Sequence, residues 1–358
     1  MSELRLMMVA GEHSGDVYGA RLAAALKERL PQAEIFGCGG EAMRSAGVRA
    51  VVDAHDFAMV GITEVISGLP RARRAFHRLL DDASRERPEL AVLIDSPSLN
   101  IRVARELKRR GVTVVYFVSP QIWAWKRWRL KQLKQRIDRM LCIFDFEEPI
   151  YRRAEIPVEY VGHPLVDTVN AELPRETFFA RAGLDPATPA VALLPGSRRI
   201  EVAFNLPRML EAVERLASAR RVQFVLAVAP TIDPSWLERE LIRDVRHRSA
   251  VHFVSGLTYD ALAHSDVAVV ASGTATVEAA LLGCPMVVVY RVAAVTALFA
   301  RFMVKVPFYS MANLLAGKAV VDELIQGKFT AGNVAREVAY LLDHPEACHT
   351  MRAELRAL

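Results

Sequence analysis

Cysteine is scarce in this 358-residue chain, and the four present, Cys38, Cys142, Cys284 and Cys348, lie far apart with no CxxC pair. Neither a disulfide framework nor a zinc knuckle is supported, which suggests a reducing, cytoplasmic compartment. Aromatic residues make up only 8%, fewer than the stacking platforms of single-strand nucleic-acid binders usually require. Neither sign of charge dominates: 46 basic and 41 acidic residues leave +5, a mild excess that suits anionic ligands, nucleic acid or anionic lipid without choosing among them. The opening Leu4–Ala10 runs straight into a strand pattern, with none of the three sections of a signal peptide.

Long apolar runs are also missing. Between Val267 and Tyr290 the only charge is Glu278, yet Gly273, Gly283 and Pro285 divide the stretch into strand, helix and strand lengths. This predicts a buried βαβ unit. The segment Val292–Val304 is too short to cross about 30 Å of hydrocarbon, although it can lie on a membrane surface.

What the chain does have is a 52% hydrophobic content with 24% charge, a globular balance that excludes disorder and collagen-like architecture. Short β-rich runs alternate with helical patterns, at Leu6–Ala10, Glu34–Phe36, Leu90–Ile94, Val112–Phe117 and Met140–Phe144, then at Ala190–Leu194, Gln223–Ala227, Val251–Val254, Val267–Val270 and Met286–Val289. The same half-length pattern occurs twice, with Val161–Pro164 and the polar Asn170–Arg175 between the halves. We therefore expect an α/β fold of two doubly wound, Rossmann-like domains, residues 1–165 and 166–358, facing across a cleft, with ligand groups at the carboxyl ends of the strands.

Five loops carry candidate chemistry. After the first strand, Gly11-Glu12-His13-Ser14-Gly15-Asp16 supplies tight turns and polar groups; it is not a GxGxxG fingerprint, and helix capping explains it equally well. Gly37–Gly40 is a ligand loop or simply a turn. Asp95, at the end of a buried-strand pattern, is the first candidate for a general base, the alternative being a cap on the next helix. In the second half, Gly196, Ser197 and Arg198 form a strand-to-helix turn suited to a diphosphate, without P-loop spacing. Ser272, Gly273 and Thr274 repeat that logic, and Glu278, one turn further on among apolar neighbours, can accept from a ribose diol.

Two segments suit a surface role. Lys126–Arg139 holds seven basic residues beside Trp123, Trp125 and Trp128, and reads as a nucleic-acid or anionic-lipid contact or as a solvated helix face. Phe57–Ile66 is apolar and precedes Arg71, Arg73, Arg74 and Arg78, which suits an acylated, phosphorylated ligand or core packing.

Taken in order, AGEHSGD, IDSPSLN, YFVSPQIWAWKRWR, VGHPLVD, LLPGSRRIEV, ASGTATVEAALLGCPMVVVYR and the NLLAG of Asn313–Gly317 resemble the lipid-A-disaccharide synthase family. The resemblance implies the GT-B architecture and an inverting transfer from UDP-2,3-diacylglucosamine to 2,3-diacylglucosamine 1-phosphate, with no metal and no cofactor. It matches Asp95 to the family's strand-end aspartate, Glu12 to its opening-loop acid, Arg198 to the GSR arginine, Glu278 to the nucleotide-site acid and Asn313 to the asparagine before LLAG. Catalysis is thereby expected from Asp95, Glu12 and Arg198, and substrate binding from Ser14, Asp16, Gly196, Ser197, Ser272, Gly273, Thr274, Glu278 and Asn313. Other expectations are peripheral attachment to the inner face of the cytoplasmic membrane, contact with its surface lipids, no nucleic-acid partner and a homodimer. Ser98 stands where many relatives carry a second acid, Ala312 where proline often precedes the asparagine, and the C-terminus is short. A UDP-sugar 2-epimerase on the same fold is the alternative.

Overall fold

A computed structural model describes residues 4–57, 62–122, 128–239, 248–293, 297 and 306–358, the side chains of residues 62–68 excepted. The chain divides into two compact units, Met1–Pro164 and Leu165–Leu358.

The first unit runs β1 (Arg5–Ala10), α1 (His13–Arg29), β2 (Glu34–Gly39), α2 (Glu41–Ser45), β3 (Arg49–Asp53), α3 (Ile62–Glu86), β4 (Leu90–Ile94), α4 (Pro97–Arg109), β5 (Thr113–Phe117), α5 (Arg129–Arg136), β6 (Arg139–Cys142), α6 (Glu148–Arg153) and β7 (Val158–Tyr160). Its seven strands are parallel in the order β3-β2-β1-β4-β5-β6-β7. The central strands are apolar along their whole length because helices cover both faces, and Met7, Val9, Leu93, Val114 and Met140 are fully buried.

The second unit runs α7 (Arg175–Ala182), β8 (Ala190–Leu194), α8 (Arg199–Ala219), β9 (Gln223–Val228), α9 (Pro234–Leu237), β10 (Val251–Ser255), α10 (Thr258–His264), β11 (Val267–Ala271), α11 (Thr274–Leu281), β12 (Met286–Tyr290), α12 (Met311–Ala316), β13 (Asp322–Ile325), α13 (Ala331–Asp343) and α14 (Pro345–Arg356). Six parallel strands are ordered β10-β9-β8-β11-β12-β13. β11, α11 and β12 form the expected βαβ unit, with Ala268 opposite Met286.

Each sheet reverses its winding once, between β1 and β4 in the first unit and between β8 and β11 in the second. Doubly wound sheets bind ligands at such reversals, because the loops leaving the two strands part to opposite faces and open a crevice. The expected cores are strands, but three further strands, β3, β7 and β13, lie at sheet edges. Gly37, Cys38 and Gly39 belong to β2 itself, with a register shift at Gly37/Cys38, and Gly40 is the N-cap of α2, so three of the four residues read as a loop or turn are strand. All four cysteines are buried and unlinked; burial pushes the thiols of Cys142 and Cys284 up to about 12. Among the described residues no helix is long and apolar enough to cross a membrane. Most of Val292–Val304, residues 58–61 of the Phe57–Ile66 segment and residues 123–127 of the tryptophan-basic segment lie outside the described residues.

Candidate active site

In the first unit the reversal brings two acids to neighbouring strand ends. Ala10 pairs with Ile94, so Glu12 follows β1 by two residues and Asp95 follows β4 by one. Glu12 is extended at the N-cap of α1, and its side chain does not cap the helix. Ser14 is half-buried in the first turn of the same helix. Asp95 and Ser96 are both left-handed, at φ 49° and 41°, an arrangement that costs roughly 1 kcal/mol or more for each non-glycine residue. Pro97 then begins α4.

Several groups hold this turn. The Asp95 N–H donates to the Phe117 carbonyl at 2.9 Å. Asn100 Nδ2 donates to the carbonyls of Ile94 at 2.9 Å and Asp95 at 2.8 Å, and Tyr116 Oη donates to the same Asp95 carbonyl at 2.5 Å. Gly11 makes room: a Cβ there would stand 3.0 Å from Ser96 Oγ and from Leu99 Cδ2. Burial, followed by the charge of Asp95 and more weakly that of Glu12, raises the Tyr116 phenol well above its usual range. It stays a protonated donor, and both acids act on it.

Asp16 has a different job from the substrate contact expected of it. Its carboxylate is buried and accepts from the N–H groups of Gly40 at 2.6 Å, Ala42 at 3.1 Å and Met43 at 3.2 Å. It closes the N-terminus of α2, and that work leaves it buried beneath the loop rather than presented to a ligand.

In the second unit, β8 ends in Pro195 and Gly196, whose φ of +126° is a conformation favouring glycine. Arg198 is the extended N-cap of α8, and its Nη1 lies 3.1 Å from Glu201 Oε1. Glu201 packs over the glycine, its Cβ and Oε2 both 2.9 Å from where a Gly196 Cβ would sit. Ser197 is exposed, and its carbonyl accepts from Thr231 Oγ1. Buried Asn205 ties the base of the turn together: Nδ2 donates to the Pro195 carbonyl at 2.9 Å and Oδ1 accepts from the Arg291 N–H at 3.1 Å. Exposed Arg198 and the first-turn amides of α8 present positive charge and a favourable dipole end on the same side of the turn.

After β11 the exposed Gly273 and Thr274 open α11. Ser272 is more committed than expected, because its N–H joins the ladder to Val289 and its hydroxyl donates to the Tyr309 carbonyl at 2.8 Å. It fixes the loop, while Gly273 and Thr274 stay exposed. Burial raises the Glu278 carboxyl above its usual range, against a 3.4 Å hydrogen bond donated by Tyr259 Oη.

Asn313 is likewise a strut rather than a ligand. Its Nδ2 donates to the Val321 carbonyl and to Glu323 Oε1, and its Oδ1 accepts from the N–H groups of Val320 and Val321. All of its polar capacity is satisfied inside the unit, where it is 1% exposed. Glu323 also accepts from the N–H groups of Tyr309 and Ser310, so Asn313 and Glu323 together set the bend at Tyr309 that receives Ser272. The basic segment is partly consumed too: Lys134 pairs with Glu155, Arg139 with Glu159, and Arg136 donates to the Ile101 carbonyl.

Sequence reasoning missed Asn100, Tyr116, Asn205, Tyr259 and Glu323. The two asparagines carried a signal, since each is a polar residue on the apolar face of a helix that directly follows a core strand.

The family model described as Lipid-A-disaccharide synthetase matches residues 6–356. The chain belongs to this family. It is 45% identical over 351 residues to a lipid-A-disaccharide synthase of Solibacter usitatus, covering 98% of this chain and 91% of that one. It is also 45% identical over 337 residues to one of Myxococcus xanthus, covering 93% and 87%. Among solved structures it is similar to a UDP-GlcNAc 2-epimerase of Neisseria meningitidis bound to UDP-GlcNAc, with a TM-score of 0.69, 12% identity and coverage of 98% and 94%. MurG of Acinetobacter baumannii gives a TM-score of 0.57 at 13% identity, covering 99% and 95%. At such identities these neighbours speak for the two-domain GT-B fold alone, and the epimerases are relatives in fold only.

Proposed function

We propose that the chain is an inverting glycosyltransferase of lipid A biosynthesis, joining UDP-2,3-diacylglucosamine to 2,3-diacylglucosamine 1-phosphate to give the β-1,6 disaccharide 1-phosphate and UDP. The observation that carries this is the match to the disaccharide synthetase family along residues 6–356. In agreement with it, an acid turn stands at the reversal of the first sheet and a Gly-Ser-Arg turn at that of the second.

Asp95 takes the proton from the acceptor's 6-hydroxyl as that oxygen bonds to C1 of the donor sugar. Glu12 adds negative charge beside it. The bond from C1 to the diphosphate breaks, and UDP leaves with the electron pair. Arg198 and the amides of the Gly196-Ser197 and Gly273-Thr274 turns balance the charge that develops on it. Glu278 accepts from the ribose hydroxyls.

Purified protein supplied with both acylated sugars should yield the disaccharide 1-phosphate and UDP by mass spectrometry. Turnover of the UDP-sugar with acceptor omitted would instead indicate epimerisation and overturn the proposal. We further propose peripheral attachment to the inner face of the cytoplasmic membrane, supported by the exposed Arg73, Arg74 and Arg78 of α3. Vesicle flotation with anionic lipid tests this, and failure to float would refute it.

A further inference from the structure

We infer that Tyr116 and Asn100 are positioning residues for the transfer step, locking the Asp95 carbonyl so that the left-handed Asp95-Ser96 turn aims the Asp95 carboxylate. The inference rests on Asp95 being the base.

Two consecutive left-handed residues, neither of them glycine, are a high-energy backbone that persists only where its surroundings fix it. Here the surroundings can be named. One carbonyl, that of Asp95, accepts from both Asn100 Nδ2 and Tyr116 Oη. The donors approach from different elements, α4 and β5, so the peptide after Asp95 is held in direction as well as in place. Asn100 also takes the Ile94 carbonyl, pinning the last peptide of β4 before the turn. Ser96 is wedged against Gly11 on the remaining side.

The turn carries a second mark of strain. Three buried side-chain polar atoms among the described residues lack a protein hydrogen-bond partner, and two of them, Ser96 Oγ and Asn100 Oδ1, are here. A turn built only for stability would satisfy these atoms or place glycine at the left-handed positions. Keeping an acid at position 95 while two donors grip its carbonyl is the arrangement expected when the direction of that acid matters. A displacement of about 1 Å at a reacting group can cost about a hundredfold in rate.

The test is a cycle between Tyr116→Phe, which removes one hydroxyl and keeps the buried ring, and Asp95→Asn. Tyr116→Phe should lower kcat roughly 10- to 100-fold, with the KM for UDP-sugar within about twofold. In the Asp95→Asn background the same substitution should cost nothing further, because the carboxylate it aims has gone. Normal kcat in a folded Tyr116→Phe protein, or an equal loss in both backgrounds, overturns the inference and leaves the base assignment standing. Full turnover by Asp95→Asn alone overturns both. Ser96→Gly provides a second variant should the phenylalanine protein not fold: it relaxes the turn from the other side, and a several-fold loss of kcat with unchanged melting is expected. Unchanged kcat there counts against the inference.

Discussion

The turns after β4 and β8 both stand at the reversal of their sheets, though on opposite sides of it, since β8 corresponds in strand order to β1 and β4 to β11; each leads into a helix. A buried asparagine grips both, Asn100 in one and Asn205 in the other. They differ in who takes the unusual backbone. After β8 it is Gly196, which carries no side chain. After β4 the left-handed positions hold Asp95 and Ser96, and a second donor, Tyr116, joins the asparagine. Glycine therefore suffices where no side chain has to stand at the strained position. Where a particular side chain has to stand at the strained position, the fold keeps the strain and adds a clamp.

The largest break in this comparison should come from Asp95→Asn. Asparagine accepts the left-handed region readily, so the fold should hold while kcat falls about 10³-fold, measured as disaccharide formed per enzyme. Next, Arg198→Ala should weaken UDP binding by roughly 10- to 100-fold in calorimetry, since a charge-assisted contact is lost. Gly196→Ala tests the other side of the contrast. Its Cβ would meet Glu201 at 2.9 Å in a backbone unfavourable to alanine, so a loss of about 1–2 kcal/mol on denaturation is expected, along with several-fold weaker UDP binding.

Glu278→Gln should separate binding from stability. Removing a carboxylate whose charge burial disfavours should raise the melting temperature by about a degree or two, while UDP binding weakens roughly fivefold. The smallest effect on ligand binding concerns His163, packed 5.2 Å from Phe144, its imidazole pKa lowered by burial from 6.5 to about 4. The unfolded chain takes up this proton first, so stability is full above about pH 6.5 and is lost as the pH falls toward 4. The loss is up to about 3 kcal/mol. His163→Phe should flatten that limb of a pH-stability curve without altering UDP binding.

The central strands were legible because they are covered on both faces and read as unbroken apolar runs. Of the edge strands only β10 was: β7 shows two of its three residues to solvent and β13 buries only Leu324, so neither carries that pattern. Loops at the sheet reversals were legible for a related reason, since glycine, serine and charge directly after a core strand mark where the chain leaves it. Side-chain direction was not. Asp16 and Asn313 sit in motifs as polar as those of Asp95 and Arg198, yet both turn inward to satisfy backbone amides, a choice set by the packing of α2 and by the chain around Val321. The clamp on Asp95 was hidden for the same reason, because Tyr116 in the sequence is one more aromatic residue in a strand.

The four buried cysteines have a practical consequence. Attack on a maleimide or a dye needs thiolate, and burial both withholds these sulfurs from reagent and keeps them protonated at neutral pH. The natural chain is thus a nearly silent background for labelling. New cysteines at the exposed positions Arg152 and Arg336, one in each unit, should react first, and a dye pair there would report the spacing of the two units as UDP is titrated.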